Sequence, residues 1–287
     1  MQTVRGLRAT SVFAVGLSIV GPAFTANHDV SNPSTTEIIR RSVAANTADW
    51  KAQPQYAYQE LDLKGKVDSS GKVQPQSSRT YEVVMIEGSP YNRLIAIDNE
   101  PLSRARAAQE NAKLQREILR RQQETPADRR TRIGKYQNGR AEEHLLMQQM
   151  VEAFNFRLVG EEMVEGAECY VLDALPRPDY HPPVERAKVL TGMRGRLWID
   201  KSGFHWAKVE AEVFSPVQFG LFIAQVKPGT KFQLNQAPVA GVWLPKCFTQ
   251  SVNASVLGLY GYRTREEEHY SDYHLNQLSA GSKAVVQ

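Results

Sequence analysis

The chain has 287 residues, 41% apolar and 23% charged, with a formal net charge of +4; this is an ordinary globular composition, and its two cysteines are too few for a disulfide scaffold. The positive charge is local: residues 101 to 140 carry eleven Lys or Arg against four Asp or Glu, which leaves the rest of the chain at −3. Nucleic-acid binding interleaves basic with aromatic side chains or uses a recognisable module; this segment has one aromatic, Tyr136, and nucleic acid is set aside as a partner.

At the N-terminus, Arg5 and Arg8 precede the apolar run Ser11 to Phe24, and the small residues Thr25 and Ala26 follow. A basic start, a short apolar core and a small-residue exit describe a secretory leader. The apolar run is well below the ~20 residues that span a bilayer. Residues 1–26 are therefore expected to be a signal peptide and 27–287 a single exported domain. The absence of a cysteine near the cut excludes a lipoprotein anchor.

Ser34 followed by Glu37 is a capping box, and Ile39, Val43 and Thr47 then fall at helical spacing. From Gln55 the period becomes two. "YAYQELDLKGKV", "SSRTYEVVMIEG" and "SPYNRLIAIDNE" are expected strands separated by turn residues. A basic helical insertion at about 101–155 interrupts them. Its first helix, Pro101 to Gln123, is rich in good helix formers but poor in apolar positions, as a solvated helix is. Its second, about Arg140 to Asn155, carries the apolar stripe Met147, Met150, Val151 and Phe154. The link "ETPADRRTRIGKYQNG" is expected to be mobile.

Strand patterning resumes at Phe156 and continues almost to the end. In "GRLWIDKSGFHWAKVEAEVFSPV", Ala207, Val209, Ala211 and Val213 form one alternate set, and Trp206, Lys208, Glu210 and Glu212 the other. That is a strand with a dry face and a wet face. Gly203 suits a left-handed turn position. "GLYGYRTREEEHYSDYHL" is the most polar strand, as an edge strand can be. A strongly twisted sheet of this many strands curls, and helices laid across it would enclose a concave apolar face. The expected class is α+β, mainly β, with one curved antiparallel sheet. Alternation alone leaves open whether the dry face is a packed core or a ligand cavity.

Motifs for chemistry are scarce. Of six histidines, His269 and His274 in "EEEHYSDYH" fall on opposite faces of a strand, whereas a metal site needs converging ligands. No nucleophile elbow, zinc-protease helix or phosphate-binding glycine loop occurs. Neither a catalytic residue, a metal site nor a cofactor is expected. Cys169 and Cys247 lie in strand-like runs and are either buried apolar thiols or a pair.

The export signal, the short opening helix, the meander split by a helical insertion, "GRLWIDKSGFHWAKVEAEV", "GVWLPK" and the closing "YSDY" together resemble the outer-membrane lipoprotein-sorting superfamily, which includes LolA-like periplasmic carriers. The resemblance implies an unclosed β-barrel whose concave face, lidded by helices, binds lipid or lipoprotein acyl chains in the periplasm. The alternative is an envelope interaction or stress-sensing module with a filled core. Candidate lining residues, from alternation, are Leu197, Ile199, Ala207, Val209, Ala211 and Val213 on the sheet, with Met147, Met150, Val151 and Phe154 on the lid. The basic insertion is longer and more basic than a minimal carrier needs; it either makes transient contact with an anionic membrane surface or is a solvated helical hairpin with no partner.

Overall fold

The computed structural model describes residues 33–220, 224–257 and 260–276; the expected leader, residues 1–26, lies outside them. Helix α1 (Thr35–Ala52) starts where its cap predicts: Ser34 Oγ accepts the Glu37 amide at 3.2 Å. Only half of the capping box forms, because Glu37 turns its carboxylate to Arg40 instead. Ile38, Ile39, Ser42, Asn46 and Asp49 of α1 are buried, so its inward face is apolar at one end and polar at the other. The polar members are satisfied locally, Ser42 donating to the Ile39 carbonyl and Asn46 to the Ser42 carbonyl.

The first meander consists of β1 (Tyr56–Val67), β2 (Val73–Ile86), β3 (Ser89–Ile97) and the short β4 (Glu100–Pro101). Two helices follow, α2 (Arg104–Gln122) and α3 (Pro126–Ala153). The second meander comprises β5 (Phe154–Val164), β6 (Ala167–Pro176), β7 (Met193–Asp200), β8 (Trp206–Val213), β9 (Val217–Phe219), β10 (Ala224–Val226), β11 (Lys231–Val239), β12 (Val242–Val256) and β13 (Tyr260–Leu275). Several hairpins close through two residues that both have positive φ, among them Glu87-Gly88, Glu165-Gly166 and Ala240-Gly241, the turn geometry that matches strand twist.

All thirteen strands belong to one antiparallel sheet that does not close on itself, in the order β4-β3-β2-β1-β13-β12-β11-β8-β7-β6-β5, with β10 and β9 branching from β12. The polar C-terminal strand is therefore not an edge, as its composition suggests, but is paired on both sides by β1 and β12. Its ladder with β1 joins the two meanders and satisfies a long row of backbone groups that either meander alone would leave open. The edges of the main sheet are β4 and β5, and β9 ends the branch.

The insertion also differs from expectation. The link between its helices is itself helical: Thr125 caps the start by accepting the Asp128 amide, and Pro126 occupies the first turn, where a missing N–H costs nothing. α2 lies on the outer face of β1–β3, with Leu114 and Ile118 against Ala57, Val84 and Ile86. The buried Arg121 guanidinium donates to the carbonyls of Ile86, Ser89 and Pro90, and Arg132 donates to the Glu87 carbonyl and to Glu124. Together they fasten the hairpin to the β2–β3 turn. Gly88 there has φ +86°, and a Cβ on it would meet the Ile133 side chain at 2.9 Å.

Two local expectations in β7–β8 are corrected. Gly203 is not the left-handed residue of the turn; Phe204 is, at φ 66°. The buried Asp200 carboxylate holds that shape by accepting the amides of Ser202, Gly203 and His205. A bulge then shifts the β7–β8 register between Trp198 and Ile199. Trp206 consequently joins Val209 and Val213 on the helix-covered side, while Ala207 turns to the outer face with Cys169, Val171, Trp198 and Trp243.

Candidate ligand-binding face

The helix-covered side of the sheet divides into two parts. Over β5–β8 and β11 it is apolar. Leu172 pairs with Leu197, Leu197 with Val209 and Val209 with Leu234, and one packed cluster unites Leu172, Leu197 and Val209 with α1 and the C-terminal half of α3. Of the ten lining candidates, Phe154, Leu197, Ile199 and Val213 are buried in that cluster, Phe154 from the first position of β5 and not from the lid helix, which ends at Ala153. Met147, Met150, Val151, Val209 and Ala211 are half-buried against it. Ala207 belongs to the small outer cluster and is not part of this face. The space is filled: at the seam of α1, α3 and the sheet, a cavity of only about 10 Å³ is lined by Asn46, His144, Met147 and Trp206 among others.

Polar contacts hold α1 down. His205 Nδ1 lies 2.6 Å from Asp49 Oδ2, the Trp243 amide donates to Asp49 Oδ1, and the His205 ring stacks on Trp243. The hydrogen bond to Asp49 raises the His205 pKa above its ordinary value despite burial. Arg41 lies over the Phe204 ring at 3.7 Å. α3 is held more lightly. Ala153 is its one buried residue among those described, and its contact with α1 runs through Arg140, which donates to the Trp50 carbonyl, and His144, which stacks on Trp50. Burial, with Arg140 and Lys51 nearby, lowers the His144 pKa. The indole Nε1 atoms of Trp50 and Trp206 and His144 Nδ1 are buried without a hydrogen-bond partner.

Over β1 and β13 the same side of the sheet is acidic and tyrosine-rich. Asp62 sits directly opposite Glu268, and Glu60 opposite Tyr270. Like charges facing each other across strands repel. Burial first, then Glu268 and Asp62, push the Glu60 carboxyl up to about 7. Burial also raises the phenols of Tyr58, Tyr270 and Tyr273, and the Tyr270 hydroxyl donates to Glu268. The nearest countercharge is Lys64, 3.4 Å from Asp62 and 3.9 Å from Glu266. This half escaped sequence reasoning because the acidic run of β13 reads as a solvated edge. The signal that would have exposed it is "ELD" in β1, whose carboxylates share a face with those of β13.

The outer face offers a different surface. A groove of about 540 Å³ there is lined by paired charges, among them Arg194 with Glu212 and Arg196 with Asp173, together with Leu175 and Phe232. No grouping of three or more metal-ligating side chains occurs among the described residues. Both thiols are free; Cys169 is buried and its pKa is pushed up to about 11 by that burial. In the insertion, six of the eleven basic residues of 101–140 are engaged within the fold, including Arg120, Arg121, Arg129, Arg132 and Arg140. That leaves the helical hairpin much less free charge than its composition suggests.

No protein-family profile and no curated protein matches the chain. Solved structures similar to the chain include three that align over most of its length. An outer membrane lipoprotein-sorting protein domain of Vibrio parahaemolyticus is 10% identical, with 83% of this chain and 93% of that one aligned at a TM-score of 0.31. A LolA superfamily protein of Nitrosomonas europaea is 11% identical over 86% and 95% at 0.28. A DUF1329 family protein of Desulfovibrio piger is 13% identical over 84% and 93% at 0.29.

Proposed function

We propose that the chain is a non-enzymatic, exported binding protein of the cell envelope that receives acyl chains of lipids or lipoproteins on the apolar sheet face covered by α1 and α3. The observation that supports this reading is an asymmetry of attachment. α1 is locked to the sheet by Asp49, His205 and Trp243, whereas α3 covers the same apolar face with half-buried, flexible Met147 and Met150. Displacing α3 would uncover Val209, Ala211 and Phe232 without unfolding the sheet. Burial of an acyl chain there, at about 25 cal/mol per Å² of apolar surface, would replace the contacts of the helix.

The filled interior favours a second reading, in which the face is a permanent core and the chain recognises another protein. Uptake of a fluorescent fatty acid separates the two. Under the carrier reading, Val209→Glu abolishes uptake and Arg140→Ala, which removes the hydrogen bond from α3 to the Trp50 carbonyl and leaves only the His144 stack, increases it. If neither variant changes uptake while both stay folded by circular dichroism, the carrier reading fails and the search turns to protein partners.

A further inference from the structure

Five buried side-chain atoms among the described residues have no hydrogen-bond partner. Two are acceptors in the sheet, on Asp62 and Gln236. The other three, the indole Nε1 atoms of Trp50 and Trp206 and Nδ1 of His144, belong to the seam of α1, β8 and α3. Buried polar groups are normally paired, so three orphans in one place require an explanation.

All three are donors. An indole nitrogen can only donate. The Gln148 amide nitrogen lies 3.1 Å from His144 Nε2; an amide N–H can only donate, which makes Nε2 the acceptor and assigns the ring proton to Nδ1. Trp206 is 3% exposed, and the bulge between Trp198 and Ile199 is what brings its ring to this side of the sheet. Trp50 stacks on the His144 ring at a centroid distance of 4.3 Å and fixes its plane.

Trp206 and His144 line the same cavity, and its volume of about 10 Å³ is room for one oxygen atom. Two unpaired donors beside a space of that size call for a single acceptor oxygen. Met147 also lines the cavity, which joins it to the flexible methionines of α3 and so to the apolar row beneath them. A ligand made only of hydrocarbon would leave both donors unpaired. An acyl chain carries the missing acceptor at its head.

We infer that this seam is the head-group seat of the acyl site and takes the carbonyl oxygen of a carboxylate or an ester, with Trp206 Nε1 and His144 Nδ1 donating to it and the hydrocarbon running under Met147 and Met150. This rests on the reading of the covered face as an acyl-chain site, and it adds the chemistry of the ligand's polar end.

Displacement of the fluorescent fatty acid by dodecanoate, methyl dodecanoate and dodecane tests it. In the wild type an oxygen-bearing chain competes about tenfold or more better than dodecane. Trp206→Phe and His144→Phe each keep an aromatic ring and lose a donor, and each narrows that ratio to about threefold or less. Trp198→Phe, on the outer face, keeps the wild-type ratio. In the wild-type chain the indole N–H resonance of Trp206 shifts on addition of dodecanoate and not of dodecane, a readout that does not depend on any variant folding. A gain by both acid and ester assigns the seat to acyl carbonyls in general, and a gain by the acid alone assigns it to free carboxylates. The inference is overturned, with the carrier reading intact, if all three chains compete alike, or if dodecanoate displaces the probe while the Trp206 resonance stays in place, which would leave those donors to solvent. If the fluorescent acid itself does not bind, both readings fall.

Discussion

The apolar part of the helix-covered face over β5–β8 and the acidic part over β1 and β13 lie on one side of one sheet and obey the same alternation, yet they are built by opposite means. In the first, Leu172, Leu197 and Ile199 are almost wholly withdrawn from water and packed by two helices. In the second, Glu60, Asp62 and Glu268 remain half-buried beside tyrosines, with Lys64 as their countercharge. Stability thus resides in one half, and the other holds charge that the fold tolerates at a cost. The difference shows why period-two patterning identifies a face but not its use.

The sharpest way to break this comparison is a pair of substitutions. Leu172→Ala should destabilise the chain by about 2–5 kcal/mol, because it empties the middle of the packed cluster. Glu60→Gln should leave stability equal or raise it at pH 8, because it removes a carboxylate that its neighbours repel. Equal losses from both, measured by denaturant titration, would sink the distinction. Next in size, Arg121→Ala should cost about 3 kcal/mol by leaving the buried carbonyls of Ile86 and Ser89 and the part-buried one of Pro90 without their donor. It should also raise hydrogen exchange at Ile86 to Ser89.

Titration sharpens the comparison further. The folded pKa of Glu60 lies above its unfolded value of about 4.5. Its contribution to stability is therefore fully present below about pH 4.5 and lost as pH rises through about 7. Stability of the wild type should fall across that window, and Glu60→Gln should flatten the fall. His205 is likewise raised, by Asp49, so its contribution is fully present below its ordinary value of 6.5 and lost as pH rises through its higher folded value. His205→Gln should then cost more stability at pH 6 than at pH 9; an equal cost at both would remove the charged pair as the lock on α1. The smallest effect is expected from the thiols: because both are free, adding a reductant should leave the melting temperature unchanged.

Much of the local structure was legible in the chain. Ser34 and Glu37 placed the start of α1, the turn residues placed most hairpins, and alternation placed Leu197, Ile199, Val209, Ala211 and Val213 on the packed side. The lower half of α3 was also legible in principle, since Thr125, Pro126 and Asp128 form a helix start, but its sparse apolar residues concealed it. The lid stripe Met147, Met150 and Val151 was read correctly as amphipathic, although periodicity could not say that the space beneath it is filled.

The sequence by itself determined those features that depend on neighbours along the chain: caps, turn residues, helical stretches and the period of each strand, all governed by contacts a few residues apart. Tertiary structure alone decided where distant segments meet. It set polar β13 between β1 and β12, because hydrogen bonding of two open edges outweighs the preference of a polar strand for solvent. It turned Trp206 inward and Ala207 outward through a bulge whose register is set by β7. It brought the carboxylates of Glu60 and Glu268 onto one surface and spent much of the insertion's positive charge on the β2–β3 turn. Pairing and desolvation energies depend on which surfaces face each other, and separation along the chain carries no record of that.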